Sequence, residues 1–345
     1  MNSMRCLNKV RRVDVYHWFL GMSLMLCASA VVADDCRLER VATVDMIVTK
    51  DGQVQIPVEI NGIRVQMGID AGSGLSAIWS GATAALNLQP KEIIARGRVN
   101  AGGTPVTQTV NINGLTIGTT RWSSFEVLVY PRNKQFPQSL GEDDAVGFLG
   151  QGVFSNLDLE LDFGAHQLRL YSQKHCAGGV VYWASRYDVL PLQKNALGNL
   201  YISMAINGKL VSTGMSTMNP ISTVEEEAAS SILGIDRASA GGDGSDGCSY
   251  CRSITLKAQG LEIRNARVNI VNSVSKSCRL NVPKSEHGIA TYDCLGAFPL
   301  RLGVNVLSDL HLYYANAEKK LYFTDAGAKT ANAGTEPTNS AATAH

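Results

Sequence analysis

The sequence lacks a dominant charge and the short motifs of several hydrolase classes. Its 345 residues include 31 lysines and arginines against 30 aspartates and glutamates, and no stripe of basic residues alternates with aromatic ones. Without such a basic surface, nucleic acid is a poor candidate partner. The spacings His-Glu-x-x-His and Gly-x-Ser-x-Gly and the phosphate-binding loop are also missing, so the hydrolases built on them find no support. We predict no nucleic-acid partner, no cofactor and no metal.

Helical patterns are scarce as well. Strand-like runs outnumber helical ones, and 33 glycines supply many positions for turns. This combination is typical of an all-β protein. The length is ample for two domains, each with a hydrophobic core.

The N-terminus has the features of a secretory signal. Lys9, Arg11 and Arg12 precede an apolar run from about residue 15 to 32, and Ala33 ends a small-residue cleavage site. We assign residues 1–33 to a cleaved signal peptide and expect a periplasmic or secreted protein without membrane contact after cleavage. A membrane anchor is the alternative, because the run is nearly long enough to span a bilayer.

Six of the eight cysteines lie beyond the predicted signal. An even number of cysteines in an exported chain favours disulfides. Cys36 precedes the first strand-rich unit and Cys176 follows its last strand, so a bridge between them would tie the two ends of one domain together. The other four are Cys248, Cys251, Cys278 and Cys294. Zinc binding or redox cycling by these four is the alternative interpretation.

One carboxylate stands in a glycine-rich turn between two apolar stretches. Residues 65–79 read VQMGIDAGSGLSAIW, with Asp70 followed by Gly72 and Gly74. Glycines at these positions let the chain turn sharply and approach a ligand closely. The plainer interpretation is a surface hairpin turn in which Asp70 is a turn former. The surrounding pattern favours a functional turn.

The strands around Asp70 follow a recognisable order. A strand at residues 54–60, an Asn61-Gly62 turn and a returning strand lead into Asp70, and Phe148-Leu149-Gly150 comes later, before a closing hairpin. This order over residues 50–171 resembles a retropepsin-like aspartic peptidase unit, in which an Asp-Thr/Ser-Gly turn is followed by an apolar-apolar-Gly motif. The resemblance implies that Asp70-Ala71-Gly72 is the catalytic turn.

The same architecture recurs in the second half of the chain. Ile60-Asn61-Gly62 returns as Ile206-Asn207-Gly208 at an offset of 146 residues (the first offset), and Leu149-Gly150 returns as Leu302-Gly303 at an offset of 153 residues (the second offset). Matches of this extent predict an internal repeat. The predicted fold is all-β, with two tandem retropepsin-like (acid protease) β-barrel units that form a pepsin-like bilobal pseudo-dimer. The predicted segments are the first unit at residues 34–177, the second at 178–324 and a disordered tail at 325–345.

The second unit departs from the catalytic pattern. Under the first offset Asp70 aligns with Ser216, so Asp70-Ala71-Gly72 is matched by Ser216-Thr217-Met218. The nearby Ser212-Thr213-Gly214 would break the register of the surrounding apolar matches. In the family, two such turns meet and their two aspartates share one proton. This chain therefore resembles an exported bacterial member with a degenerate second motif, in which Ser216 takes the position of the missing aspartate.

The resemblance also implies residues that would contact a peptide. Gly72, Ser73 and Thr217 belong to the two turns, and Gly102-Gly103 begins a candidate flap in the first unit. At the corresponding place the second unit carries the glycine-rich segment 241–247. We interpret this segment as a mobile loop, because one copy of a calcium-binding nonapeptide cannot build the stacked repeats that such a site needs.

Three function classes stay open. The first is an acid-type aspartic endopeptidase that uses Asp70, either in a single-acid site or paired with Asp70 of a second chain in a homodimer. The second is a catalytically inactive pseudopeptidase that binds extended peptides or proteins by strand addition. The third is a metal or redox module of the later cysteines. Fusion of both copies in one chain makes the pairing of Asp70 with Ser216 the simplest arrangement, which favours the second class.

Overall fold

The computed structural model describes residues 36–93, 99–101, 104–131, 145–241, 248–285, 287–327 and 343–344. The predicted signal peptide lies outside these residues, as do residues 328–342 and 345 of the predicted tail. The described residues belong to one compact unit, Asp35–His345. None of the helices within the described ranges is long and apolar enough to cross a membrane.

The first half of the chain is a succession of short strands. They are β1 (Arg40–Asp45), β2 (Ile47–Val48), β3 (Val54–Ile60), β4 (Ile63–Asp70), β5 (Ala77–Trp79), β6 (Lys91–Glu92), β7 (Val99–Ala101), β8 (Thr104–Val106), β9 (Gln108–Ile112), β10 (Leu115–Ile117), β11 (Thr120–Trp122), β12 (Phe125–Tyr130), β13 (Ala145–Gly150), β14 (Leu157–Asp162) and β15 (Gln167–Ser172). A 3-10 turn at Ser80–Ala82 follows β5.

The second half is also built of strands, with two short helices between them. Its strands are β16 (Asp188–Pro191), β17 (Gln193–Lys194), β18 (Leu200–Ile206), β19 (Lys209–Met215), β20 (Ser222–Glu225), β21 (Cys251–Ala258), β22 (Leu261–Val271), β23 (Leu280–Asn281), β24 (Thr291–Tyr292), β25 (Leu300–Leu302), β26 (Leu310–Ala315), β27 (Lys320–Asp325) and β28 (Thr343–Ala344). The helical segments are α1 (Glu226–Ala228), which continues as a π-helix at Ala229–Leu233, a 3-10 turn at Arg237–Ser239 and α2 (Val304–Leu307).

Turn chemistry explains the two hairpins that lead to the predicted catalytic turns. Asn61 and Gly62 join β3 to β4 with φ angles of 52° and 82°, and Asn207 and Gly208 join β18 to β19 with 48° and 76°. Positive φ at both central residues is the requirement of a type I′ turn, and asparagine and glycine meet it at little cost. The side chains of β3 alternate between buried and more exposed positions, so its apolar residues pack into the core.

The strand pairings of the first half recur in the second. β4 pairs in parallel with β13, as β19 does with β25, and β5 and β20 pair with these same partners in antiparallel fashion. The first offset converts the bounds of β3 into those of β18, and the second offset converts β14 and β15 into β26 and β27. The prediction of an all-β fold with two tandem units in a bilobal pseudo-dimer is confirmed.

The strands of each half wrap around apolar side chains. In the second half, a pairing between β21 and β18 closes the order β18-β19-β25-β20-β22-β21 into a six-stranded barrel. In the first half, the sheet runs β28-β11-β10-β3-β4-β13-β5-β12-β9-β6. The buried aliphatic residues of both halves form one contiguous cluster, so the two units share a core where they meet.

A six-stranded sheet, called the joining sheet below, contains strands of both halves. Its order is β1-β15-β14-β26-β27-β16, and its central pair sets β14 of the first half against β26 of the second. Tyr171 donates a hydrogen bond of 2.6 Å to Glu160, which also pairs with Arg169 at 2.5 Å and His311 at 2.7 Å. Successive residues of a strand face opposite sides, and Tyr314 is three residues after His311 in β26. Tyr314 therefore faces away from this polar network, and its hydroxyl lies 3.8 Å from the sulfur of Met215.

Disulfides pair all six cysteines beyond the predicted signal. The bridges are Cys36–Cys176, Cys248–Cys251 and Cys278–Cys294. The prediction of disulfides is confirmed, and the bridge from Cys36 to Cys176 links the two ends of the first unit. With their sulfurs bonded, these cysteines present no thiolate to a zinc ion.

Candidate active-site cleft

Asp70 ends β4 and opens a tight turn. Its carbonyl oxygen accepts a hydrogen bond of 3.0 Å from the backbone N–H of Ser73, and the N–H of Gly74 donates to the side-chain oxygen of Asn199 at 2.9 Å. A Cβ on Gly72 would overlap the carbonyl group of Met215. Glycine is therefore needed at residue 72 because the two halves approach each other closely there.

The two apolar-apolar-Gly motifs support the turns in the same way. The N–H of Gly150 donates to the hydroxyl of Ser76 at 2.9 Å, and the N–H of Gly303 donates to the hydroxyl of Ser222, also at 2.9 Å. The first offset relates the two serines and the second offset relates the two glycines. The same hydrogen bond therefore occurs at equivalent positions in both halves. Gly150 lies directly opposite Asp70 in the pairing of β13 with β4.

Thr217 fastens the second turn to the first. Its buried hydroxyl donates to the carbonyl oxygen of Ile69 and accepts from the backbone N–H of Ala71 at 3.2 Å. Ala71 is equally buried but carries no hydroxyl that could make the reciprocal bonds. The resulting lock between the turns is one-sided, and it holds Ser216 against Asp70.

Burial dominates the electrostatics of Asp70. It raises the pKa of this carboxyl group to about 6, against the lowering effects of Arg301, the Ser216 hydroxyl and the backbone N–H groups of Gly72 and Thr217. Asp70 as a whole is half-buried, but its oxygen Oδ1 is buried and has no hydrogen-bond partner in the described part of the chain. Buried carboxylate oxygens normally have donors, so Oδ1 is an exception, and the protein encloses it in this conformation.

Ser216 is the residue that the first offset aligns with Asp70. Its hydroxyl oxygen accepts a hydrogen bond of 3.3 Å from the N–H of Met218, and its own N–H donates to Leu302 at 2.9 Å. A serine can donate a hydrogen bond to Asp70, but it does not ionise near neutral pH. Two carboxylates can divide the roles of acid and base. In the pair of Asp70 and Ser216, only Asp70 titrates.

Two residues near Asp70 were missed by the sequence interpretation. Arg301 acts on the ionisation of Asp70, and Tyr314 has its pKa raised mainly by burial and further by the charge of Asp70. Under the second offset Arg301 aligns with Phe148. This replacement of an aromatic residue by a cation could have marked Arg301 as a site residue from the sequence. Tyr314 approaches from the joining sheet, and no local pattern encodes that adjacency.

Of the predicted peptide-contacting residues, the structure brings together Gly72, Ser73 and Thr217 beside Asp70. The predicted flap residues Gly102 and Gly103 lie outside the described residues, and so do residues 242–247 of the glycine-rich segment. Placement of the flaps therefore stays a prediction.

A cluster of possible metal ligands lies in the joining sheet, away from the two turns. One atom each of Glu160, Asp162 and His311 falls within 4.8 Å of the others, and all three residues are buried. Arg169 already contacts both carboxylates, at 2.5 Å and 3.1 Å. A buried guanidinium at this position neutralises the carboxylates that a cation would need, so the cluster is an ion-pair network.

Two cavities flank the turn at Gly74. One of about 400 Å³ is lined by Ser76 and Trp122 of the first half, and one of about 520 Å³ lies between the halves and is lined by Gln151 and Tyr201. Asp70 lines neither cavity, so the contacts between the two turns define the candidate site and cavity size does not.

The comparisons with known proteins agree with this geometry. Residues 56–152 match the family model for aspartyl proteases, and this segment contains both Asp70 and Gly150. This match and the all-β architecture support an aspartic-protease-like fold. No curated protein sequence shows significant similarity to the chain.

Three solved structures are similar to this chain at low sequence identity. Basic 7S globulin from soybean is 9% identical, with 84% of this chain and 96% of that chain covered and a TM-score of 0.47. Conglutin gamma, a basic 7S globulin from lupine seeds, is 10% identical, with 84% and 95% covered and a TM-score of 0.44. The aspartic proteinase from Irpex lacteus is 11% identical, with 85% and 99% covered and a TM-score of 0.49.

Proposed function

We propose that the protein is an exported peptide-binding protein that has the cleft of an aspartic peptidase but does not hydrolyse peptide bonds efficiently. The observation that carries this proposal is Ser216 opposite Asp70. In acid-type hydrolysis, one carboxylate takes a proton from the attacking water while the other supplies a proton to the substrate. Serine does not replace the second group near neutral pH. Loss of one proton-transfer partner lowers a rate by about 10²–10⁴-fold.

The contacts between the turns argue against a homodimer that pairs Asp70 with Asp70. Thr217 already bonds to the backbone on both sides of Asp70, and Gly72 packs against Met215. A second chain could place its own Asp70 there only if the second half of this chain moved out of the way. The shared core of the two halves opposes such a movement.

Other features support peptide binding and export. Asp70 is partly exposed where the two halves meet, and Arg301 supplies donors nearby. Three disulfides fit an oxidising compartment such as the periplasm or the cell exterior.

A single-acid peptidase is the second candidate, because one observation favours it. The pKa of Asp70 is raised to about 6, which is a suitable value for a general base that works near neutral pH. Arg301 could then polarise the substrate carbonyl in place of a second acid. Such an enzyme would gain activity as the pH rises through 6, whereas a peptidase with two carboxylates works at acidic pH.

Turnover and binding of a mixed peptide library from pH 3 to 8 test the proposal. We expect the wild-type protein to bind peptides with little or no turnover. The triple substitution Ser216→Asp, Met218→Gly, Ala71→Thr restores the residues of the family motif, so we expect it to gain hydrolytic activity at acidic pH. Adding Asp70→Asn to the triple variant should abolish that activity again.

Two results would contradict the proposal. The first is cleavage by the wild-type protein that Asp70→Asn abolishes. If the rate of that cleavage rises as the pH passes 6, the protein is the single-acid peptidase. If the rate instead depends on dimer formation, measured by sedimentation, Asp70 pairs between chains. The second is absence of peptide binding at every pH, measured by retention of the library on immobilised wild-type protein. The Asp45→Asn variant, which changes an exposed carboxylate on β1, controls for loss of a negative charge.

A further inference from the structure

Arg301 places a positive charge on the cleft side of the second half. It lies in β25, opposite Gly214 of β19 and Thr223 of β20. Ser216 follows the end of β19, two residues after Gly214. Arg301 therefore lies beside the strand end that leads to Ser216, and its charge is felt at Asp70, whose pKa it lowers.

The guanidinium of Arg301 is supported but only partly bonded. The ring of Phe298 lies 5.5 Å from its central carbon, and this ring fits because Gly214 has no side chain, since a Cβ there would come within 2.6 Å of it. One nitrogen donates to the carbonyl oxygen of Gly296 at 3.3 Å. Arg301 is half-buried and, within the described ranges, has no carboxylate at ion-pair distance. Of the five donors of an arginine, most remain free for a ligand.

The matching position in the first half has a different chemistry. Phe148, which the second offset aligns with Arg301, lies opposite Gly68 and Ala77, and its ring centroid is 5.8 Å from that of Trp79. At this repeated position the first half therefore carries an aromatic side chain and the second half a cationic one.

Two exposed leucines border the cationic side. Leu197 is 41% exposed and Leu295 is 63% exposed. The backbone of Leu197 packs against Gly74, which follows Asp70 in the tight turn, and its side chain approaches Gly296, whose carbonyl oxygen accepts from Arg301. Because Leu197 reaches Gly296, the neighbour of Leu295, the two leucines form one small apolar patch.

We propose that Arg301, Phe298 and the two leucines form a subsite that selects an acidic side chain, flanked by an apolar residue, in a bound peptide. This inference rests on the proposed peptide-binding function. An aspartate or glutamate carboxylate can accept two parallel hydrogen bonds from a guanidinium, and such charge-assisted pairs are stronger than neutral ones. The leucines would contact the neighbouring apolar side chain.

A glutamate scan of a model peptide tests the subsite. The probes are fluorescently labelled nonapeptides of alanine, leucine and serine, with a single glutamate moved through every position and a matched glutamine set. We expect one position at which the wild-type protein binds the glutamate peptide at least about tenfold more tightly than the glutamine peptide, which corresponds to about 1.4 kcal/mol. Arg301→Gln should remove this preference, Arg301→Lys should keep part of it, and Arg301→Glu should transfer it to a lysine peptide.

A matched control and three outcomes complete the test. Arg264→Gln makes the same change at a largely exposed arginine of β22 and should leave the preference intact. Equal affinity for glutamate and glutamine peptides would overturn the subsite while the peptide-binding function stands. A preference that survives Arg301→Gln would also overturn it, provided that the thermal unfolding of the variant is unchanged. Absence of binding by every peptide would overturn the proposed function and the subsite together.

Discussion

Burial raises the pKa of Asp70 to about 6, and this shift couples the ionisation of one side chain to the stability of the whole fold. In the unfolded chain an aspartate titrates near its ordinary value of about 3.9. Between pH 4 and pH 7 the unfolded state therefore loses its proton before the folded state does. The stabilising effect of the neutral carboxyl group is complete below pH 4 and is lost as the pH rises through 6.

Asp70→Asn should remove this pH dependence. A shift of about two units corresponds to at most about 3 kcal/mol. Because Asp70 is partly exposed, we expect the variant to gain about 2 kcal/mol over wild type at pH 8 and almost nothing at pH 4. Urea unfolding at several pH values measures the difference, with the exposed Asp45→Asn as the control. A difference that does not change with pH would show that Asp70 titrates like an exposed aspartate.

At the scale of the elements, the two turns are held together by one hydroxyl group. Thr217 bonds to the carbonyl oxygen of Ile69 and to the N–H of Ala71, both of them buried. Thr217→Val keeps the shape of the side chain but leaves these two backbone groups without a partner. A buried group that loses its hydrogen bond costs about 1–3 kcal/mol, so we expect a loss of about 2–3 kcal/mol in the free energy of unfolding.

Thr213→Val is the matched control for this loss. Thr213 is also fully buried in β19, but its hydroxyl bonds to Val211 of the same strand and does not reach the other half. The free energy of unfolding should therefore fall by at least about 1 kcal/mol less in Thr213→Val than in Thr217→Val. Equal losses in denaturant unfolding would mean that the contact across the two turns has no special weight.

The elements also show how far the sequence could lead. The Asn-Gly turns and the alternating apolar residues predict the strands on both sides of them, and the first offset carries β3 onto β18 without a change of bounds. The same offset predicts the alignment of Ser216 with Asp70. These features are local or repeated, so they can be read without knowing how the chain packs.

Packing across the repeats could not be predicted. Residues 157–162 alternate leucine with aspartate or glutamate, a pattern typical of a strand with one face in water. All six residues are buried, because partners elsewhere in the chain bind the carboxylates. Arg169 pairs with Glu160 and Asp162, His311 bonds to Glu160, and His175 bonds to Asp158. The closeness of Arg301 to Asp70 has the same origin, since it depends on the meeting of two units that lie far apart in the chain.

At the scale of the whole molecule, the site exists only where the two halves meet. The first half supplies Asp70, the second supplies Ser216, Thr217 and Arg301, and the joining sheet supplies Tyr314 from below. Neither half alone would bury Asp70 or raise its pKa. Any function of the cleft therefore depends on the interactions that keep the first and last strands of each unit in place.

The Cys36–Cys176 disulfide is the covalent part of that arrangement. Cys36 precedes β1 and Cys176 follows β15, and these strands already pair at the edge of the joining sheet. Because the native contacts hold the two strands together without it, the bridge acts mainly by restricting the unfolded chain. Its loop spans 140 residues, for which the chain-entropy relation gives about 5 kcal/mol.

Replacement of both cysteines should therefore destabilise the protein without changing the site. We expect Cys36→Ser with Cys176→Ser to lose about 4–5 kcal/mol in urea unfolding and to keep its affinity for peptides. The matched control is Cys278→Ser with Cys294→Ser, whose loop spans only 16 residues and for which the same relation gives about 3 kcal/mol. If the short bridge proves to stabilise as much as the long one, native contacts near the cysteines, and not the entropy of the unfolded chain, determine the effect.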